Sequence, residues 1–106
     1  MFATTYATIV SAAIHEAATD ISHTPTILKA SLPADRLKRL QWLLAWRREY
    51  AKLSNDIREA KRQRSQGNEE NRSAAQYRCH VLKGVARGAM ALRNAYTDAI
   101  RGERLQ

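Results

Sequence analysis

The feature that most limits how this chain can fold is a break at Gly67-Asn68 between two long helical registers. Upstream, Leu40, Leu43, Trp46, Tyr50, Leu53, Ile57 and Ala60 are spaced 3, 3, 4, 3, 4, 3, close to a heptad seam. Leu37 and Leu44 widen that apolar face near its start. Downstream, Leu82, Val85, Ala89, Leu92, Tyr96 and Ala99 are spaced 3, 4, 3, 4, 3. Between the registers, Gly67 reads as a left-handed residue that ends one helix. Asn68 reads as the N-cap of the next, with Glu69 and Glu70 in its first turn, where carboxylates offset the positive helix end. Two long helices with so short a joint must fold back on each other as an antiparallel αα-hairpin. The spacing predicts these helices over 33–65 and 69–102, the first roughly 50 Å long.

Ahead of the hairpin, Ala3, Ala7, Val10, Ile14, Ala17 and Ile21 recur at alternating steps of 4 and 3 and predict a helix over 2–21. A turn with a short helix follows over 22–32. Thr24 is its expected N-cap and Pro25 its first helical residue. Pro33 is expected to open the long helix, with Asp35 in its first turn.

Composition agrees with helices packed through small side chains. Alanine supplies 18 of 106 residues and phenylalanine one, an inventory unsuited to a β-sandwich. Gly84, Gly88 and Ala91 share a stripe with Val81 and Ala95. Each interior glycine costs roughly 1 kcal/mol against alanine. Two of them on one face imply close helix packing, and the Ala-rich first helix is the natural partner. The expected fold is all-α, a single domain over 1–106: a three-helix bundle made of a long antiparallel hairpin with a packed N-terminal helix.

Little in the chain points to catalysis, a cofactor or a metal. His15-Glu16 begins an HExx fragment, but Thr19 stands where the second zinc-binding imidazole belongs. Cys79 and His80 are neighbours and point about 100° apart on a helix, so they do not form a nucleophile–base pair. Cys79 reads as a small core residue. Asp56 and Glu59 lie among Lys52, Arg58, Lys61 and Arg62 at salt-bridge spacing. No glycine loop followed by Lys-Ser/Thr is present to hold a phosphate. A single cysteine forms no intrachain disulfide and points to a reducing, cytoplasmic setting. The first 21 residues lack a basic segment, so no signal peptide is expected, and no apolar run is long enough to span a membrane.

Charge is the remaining clue. Eighteen Lys and Arg against ten Asp and Glu leave a net charge of +8. Residues 34–66 carry ten bases and four acids, whereas residues 1–33 carry one Lys and two acids. Arg36, Arg47 and Arg58 recur every eleven residues, drift only about 20° per step and form a line at roughly 16 Å intervals beside the apolar seam. Arg48, Lys52 and Arg62 populate the outer face, and Lys61, Arg62, Arg64 and Arg72 gather at the hairpin tip. Thirteen of the eighteen bases are arginine, whose planar fork grips carboxylates and phosphates. The expected partner is therefore an acidic protein surface or nucleoprotein complex. Nucleic acid bound without sequence preference is the alternative, and a homodimer through the long helices a third reading. Trp42 and Trp46 read as core rather than as base-stacking platforms. In size and Ala/Arg-rich style the chain resembles short single-domain proteins of phages and mobile elements, which often bind and block a host machine.

Overall fold

The computed structural model describes residues 6–105. Their α-helices are α1 (Tyr6–Thr19), α2 (Thr24–Ser31), α3 (Arg36–Gln66) and α4 (Glu69–Leu105), with a 3-10 turn at Ile21–His23. The start expected for the first helix at residue 2 lies outside the described residues. α3 and α4 form the antiparallel hairpin, and α1 and α2 pack on it. The molecule measures 56 × 32 × 17 Å with a radius of gyration of 16.0 Å. A compact chain of this length has a radius of about 13 Å, so this is an extended bundle.

The caps differ from the sequence reading in instructive ways. α1 stops at Thr19 rather than Ile21 because Asp20 turns extended and its carboxylate accepts from the Ser22 amide at 3.0 Å. Thr24 is no N-cap. It is already helical, and its hydroxyl donates to the Ile21 carbonyl at 2.7 Å. α3 begins at Arg36, not Pro33. Leu32, forced toward extended geometry by the following proline, ends α2, and Asp35 caps α3 by accepting from the Leu37 amide at 2.9 Å. Gly67 is extended (φ −85°, ψ 177°) rather than left-handed. What requires glycine there is space: a Cβ would lie 2.9 Å from that of Asn71. Asn68 caps α4 through the Asn71 amide at 2.9 Å.

The core sits where α1 and α2 cover the hairpin. Val10, Ile14, Leu28, Trp42, Ala89 and Leu92 are buried there. Trp42 stacks on Tyr96 with ring centres 5.4 Å apart, and Trp46 on Tyr50 at 5.0 Å. The Trp46 indole donates to the Ala89 carbonyl at 2.9 Å. The Arg93 guanidinium lies 5.9 Å from the Trp46 ring centre and 5.6 Å from that of Tyr96, within cation–π range. Toward the tip, the small buried residues Ala60, Ala75 and Cys79 let α3 and α4 approach each other.

Of the small-residue stripe, Gly88 takes the close approach. A Cβ there would lie 2.5 Å from the Ala18 amide nitrogen. Ala91 borders the groove between α2 and α4, with Thr24 and Leu28. Gly84 departs from the expectation of tight packing: a Cβ would meet only an Arg87 guanidinium nitrogen, at 3.6 Å. Ala18 is one residue from the end of α1, which does not reach Gly84.

Two glycines on one helix should therefore respond in opposite senses. Gly88→Ala forces α1 backbone to move and is expected to cost about 2 kcal/mol, read as a Tm drop on the order of 10 °C. Gly84→Ala should stabilise by up to about 1 kcal/mol, because it improves helix propensity where the added methyl meets only an ordinary contact with Arg87.

Arg39 joins the base of α3 to the end of α4. Its guanidinium holds Glu103 at 2.5 and 2.8 Å and donates through Nε to the Pro33 carbonyl at 2.7 Å. The hydrogen bonds from Arg39, and then its charge, hold the Glu103 carboxyl below its ordinary value of 4.5. A carboxyl depressed in the folded state stabilises fully above its unfolded value and loses that contribution as pH falls. Thermal unfolding followed from pH 7 to pH 3 should show a shallower loss of Tm below about pH 4.5 in Glu103→Gln than in the parent.

Candidate functional site: the outward face of helix α3

The two tryptophans determine which way α3 is turned. At about 100° per residue, Trp42 and Trp46 define one side of the helix, and both are buried, at 0% and 6% exposure. Leu44 and Leu37 then fall on the opposite side. Leu37 is 63% exposed, Leu40 52% and Leu44 50%. This overturns the placement of Leu37, Leu40 and Leu44 on the apolar seam. Two successive steps of three, from Trp46 to Leu43 to Leu40, swing the stripe by about 120°. From Trp46 toward the tip the expected seam does face α4, with Tyr50, Leu53 and Ile57 partly covered and Ala60 buried.

The eight basic residues singled out from the sequence separate into three groups. Arg36, Arg47 and Arg48 are exposed and form no ion pair among the described residues. With Arg58, which reaches Asn55 at 3.4 Å, they lie on the same outward side as the leucines. The line Arg36–Arg47–Arg58 runs about 100° to 140° around the helix from the tryptophans, starting on the expected flank and turning outward toward Arg58. Lys52 turns to Glu49 at 3.2 Å. Near the tip, Arg62 is engaged by Glu59 and, at 2.9 Å, by Gln66. Hydrogen bonds from Arg62 hold the Glu59 carboxyl below its ordinary value, and Glu59 in turn raises the Arg62 guanidinium. Lys61 is exposed, and Arg64 reaches across the hairpin to Gln76 at 3.0 Å.

No carboxylate of α3 is open on this face. Glu49 and Asp56 lie more than about 100° around the helix from Leu44. Glu59 is already held by Arg62. Asp35 precedes the helix and caps it, accepting from the Leu37 amide through Oδ1. The first turn of α3 contains no acidic residue although Arg36, Lys38 and Arg39 stand there. Cations at the positive end of a helix cost about 0.3–1 kcal/mol each when unscreened. Three exposed leucines and an arginine-rich first turn both run against what stability alone favours, and they coincide on one helix.

Another cluster forms at the α1–α2 junction. Asp20 accepts from the Ser22 hydroxyl at 2.6 Å and meets His23 Nδ1 at 2.5 Å. These hydrogen bonds, led by Ser22, hold the Asp20 carboxyl below its ordinary value. The geometry is that of a cap and not of a proton relay. Serine and imidazole both converge on the carboxylate, and the serine oxygen approaches only the same Nδ1 that faces Asp20. His15 is exposed and bonds to the Ser11 carbonyl one turn back.

Among the described residues no helix is long and apolar enough to cross a membrane. No protein-family model, curated protein or solved structure matches the chain.

If the leucines serve no structural purpose, polar replacements should be almost silent in the isolated protein. Leu40→Gln with Leu44→Gln is expected to change stability by about 1 kcal/mol or less. Leu92→Ala, in the buried core, should cost about 3 kcal/mol. Urea unfolding of the two variants checks the contrast.

Proposed function

We propose that this chain is a non-catalytic interaction protein that lays the outward face of α3 on an acidic surface of another macromolecule and blocks or bridges it. The observation that carries this reading is the continuity of Leu37, Leu40 and Leu44 with Arg36, Arg47 and Arg48 on a face without an open carboxylate. An apolar centre with a charged rim is the anatomy of protein docking sites, where a few buried anchors dominate affinity and the rim excludes water. Burying the exposed half of each leucine contributes about 1 kcal/mol. The arginines accelerate encounter and select the partner by charge. Action by occlusion is the mode of a small phage- or mobile-element-type inhibitor working in the cytoplasm, and a rigid helical surface suits it.

A second reading, nucleic-acid binding without sequence preference, is favoured by one observation. Lys61, Arg62, Arg64, Arg72 and Arg78 all lie near the hairpin tip. Such binding releases counterions and weakens steeply with salt.

Affinity isolation of the tagged protein from its native lysate, with and without nuclease, separates the two. The first reading expects a stoichiometric protein that survives nuclease and is lost from Arg47→Glu with Arg48→Glu. Retention of nucleic acid alone, abolished by nuclease, would replace it with the second.

A further inference from the structure

Resting on that reading, we propose that the partner is a protein and that it receives the first three turns of α3 as a helix in an apolar groove with carboxylates at both ends. Leu37, Leu40 and Leu44 stand at positions i, i+3 and i+7, the spacing by which an amphipathic helix anchors in a groove. Leu37 and Leu44 are about 10 Å apart along the helix. Arg36 borders the leucines on one side, and Arg47 and Arg48 stand one turn beyond them on the other. Arg36 and Arg47 are about 16 Å apart along the axis, which sets the separation of the acidic clusters that complement them. α3 is already folded and extends well beyond the patch, to Gln66, so docking spends nothing on ordering the helix.

Charge and polarity select among occupants. Phosphates would satisfy the arginines but leave three leucines against a charged, hydrated backbone. A second copy docked through this same face would set arginines against arginines. An acidic protein groove buries the leucines and pairs Arg36, Arg47 and Arg48 in the same act.

The test places the photo-crosslinking residue benzoylphenylalanine at Leu40 of the full chain expressed in its native cells. It is combined with Leu37→Ser plus Leu44→Ser in one variant and Arg47→Glu plus Arg48→Glu in another. All these positions are exposed, and circular dichroism verifies folding of each variant. The proposal expects a polypeptide adduct whose yield falls about tenfold or more in both variants. The adduct should map to a partner peptide of apolar residues flanked by Asp or Glu. An adduct to nucleic acid or to a second copy overturns it. A polypeptide adduct lost on arginine reversal but undiminished by the serine substitutions overturns the groove while leaving the acidic-surface reading standing. An adduct undiminished by arginine reversal overturns the carboxylate ends. The absence of any adduct at Leu40, repeated with the crosslinker at Arg47, overturns both readings.

Discussion

The rotation of α3 about its own axis depends on Trp42 and Trp46. Trp46 is fixed twice, by the Ala89 carbonyl at one edge of its indole and by stacking against Tyr50. Trp42 lies fully buried against Tyr96. Arg93 spans Trp46 and Tyr96 with its guanidinium, so the aromatic group is locked from α4 as well. Rotating α3 by one residue would expose an indole and break a buried hydrogen bond. Everything on the far side of the helix is therefore presented to solvent by what is buried on the near side.

That coupling explains how much could be read from the amino-acid order. The hairpin, the break at Gly67-Asn68 and an all-α bundle follow from sustained 3–4 spacing and capping chemistry, signals local enough to survive without coordinates. The phase of the apolar stripe at the start of α3 was not legible in the same way. Leu37, Leu40 and Leu44 are as apolar as any core residue, and periodicity alone assigned them inward. Only the larger side chains, packed against Tyr96 and Ala89 from a distant part of the sequence, decide which of two apolar stripes is buried. The same holds for Gly84 and Gly88, identical in the sequence pattern and separated only by where α1 ends.

The basic residues were easy to find and hard to sort. Spacing placed Arg36, Arg47 and Arg58 in one line, and the structure keeps that line. Spacing does not distinguish a cation that is already engaged from one that is not. Arg64 turns across the hairpin and Arg62 is held by Glu59 and Gln66, whereas Arg36, Arg47 and Arg48 form no ion pair among the described residues. An exposed ion pair such as Arg62–Glu59 contributes little to stability, and an engaged cation is less available to a partner. Arginines that are not engaged retain their full attraction for one.

The limited reach of α1 makes local stability uneven along the hairpin. Where α1 and α2 lie on the hairpin, opening it exposes tryptophan, leucine and tyrosine together. Beyond Gly84 the two long helices are held mainly by Ala60, Ala75 and Cys79, with partial cover from Leu53, Ile57 and Leu82. Segments that bury so little apolar surface open at lower free energy than the rest of a molecule. Backbone amides near the hairpin turn should accordingly exchange with solvent through local fraying, and those around Trp46 and Leu92 only through global unfolding. The chain behaves as a firm platform at one end and a yielding arm at the other, and the leucine face of α3 is carried by the firm end.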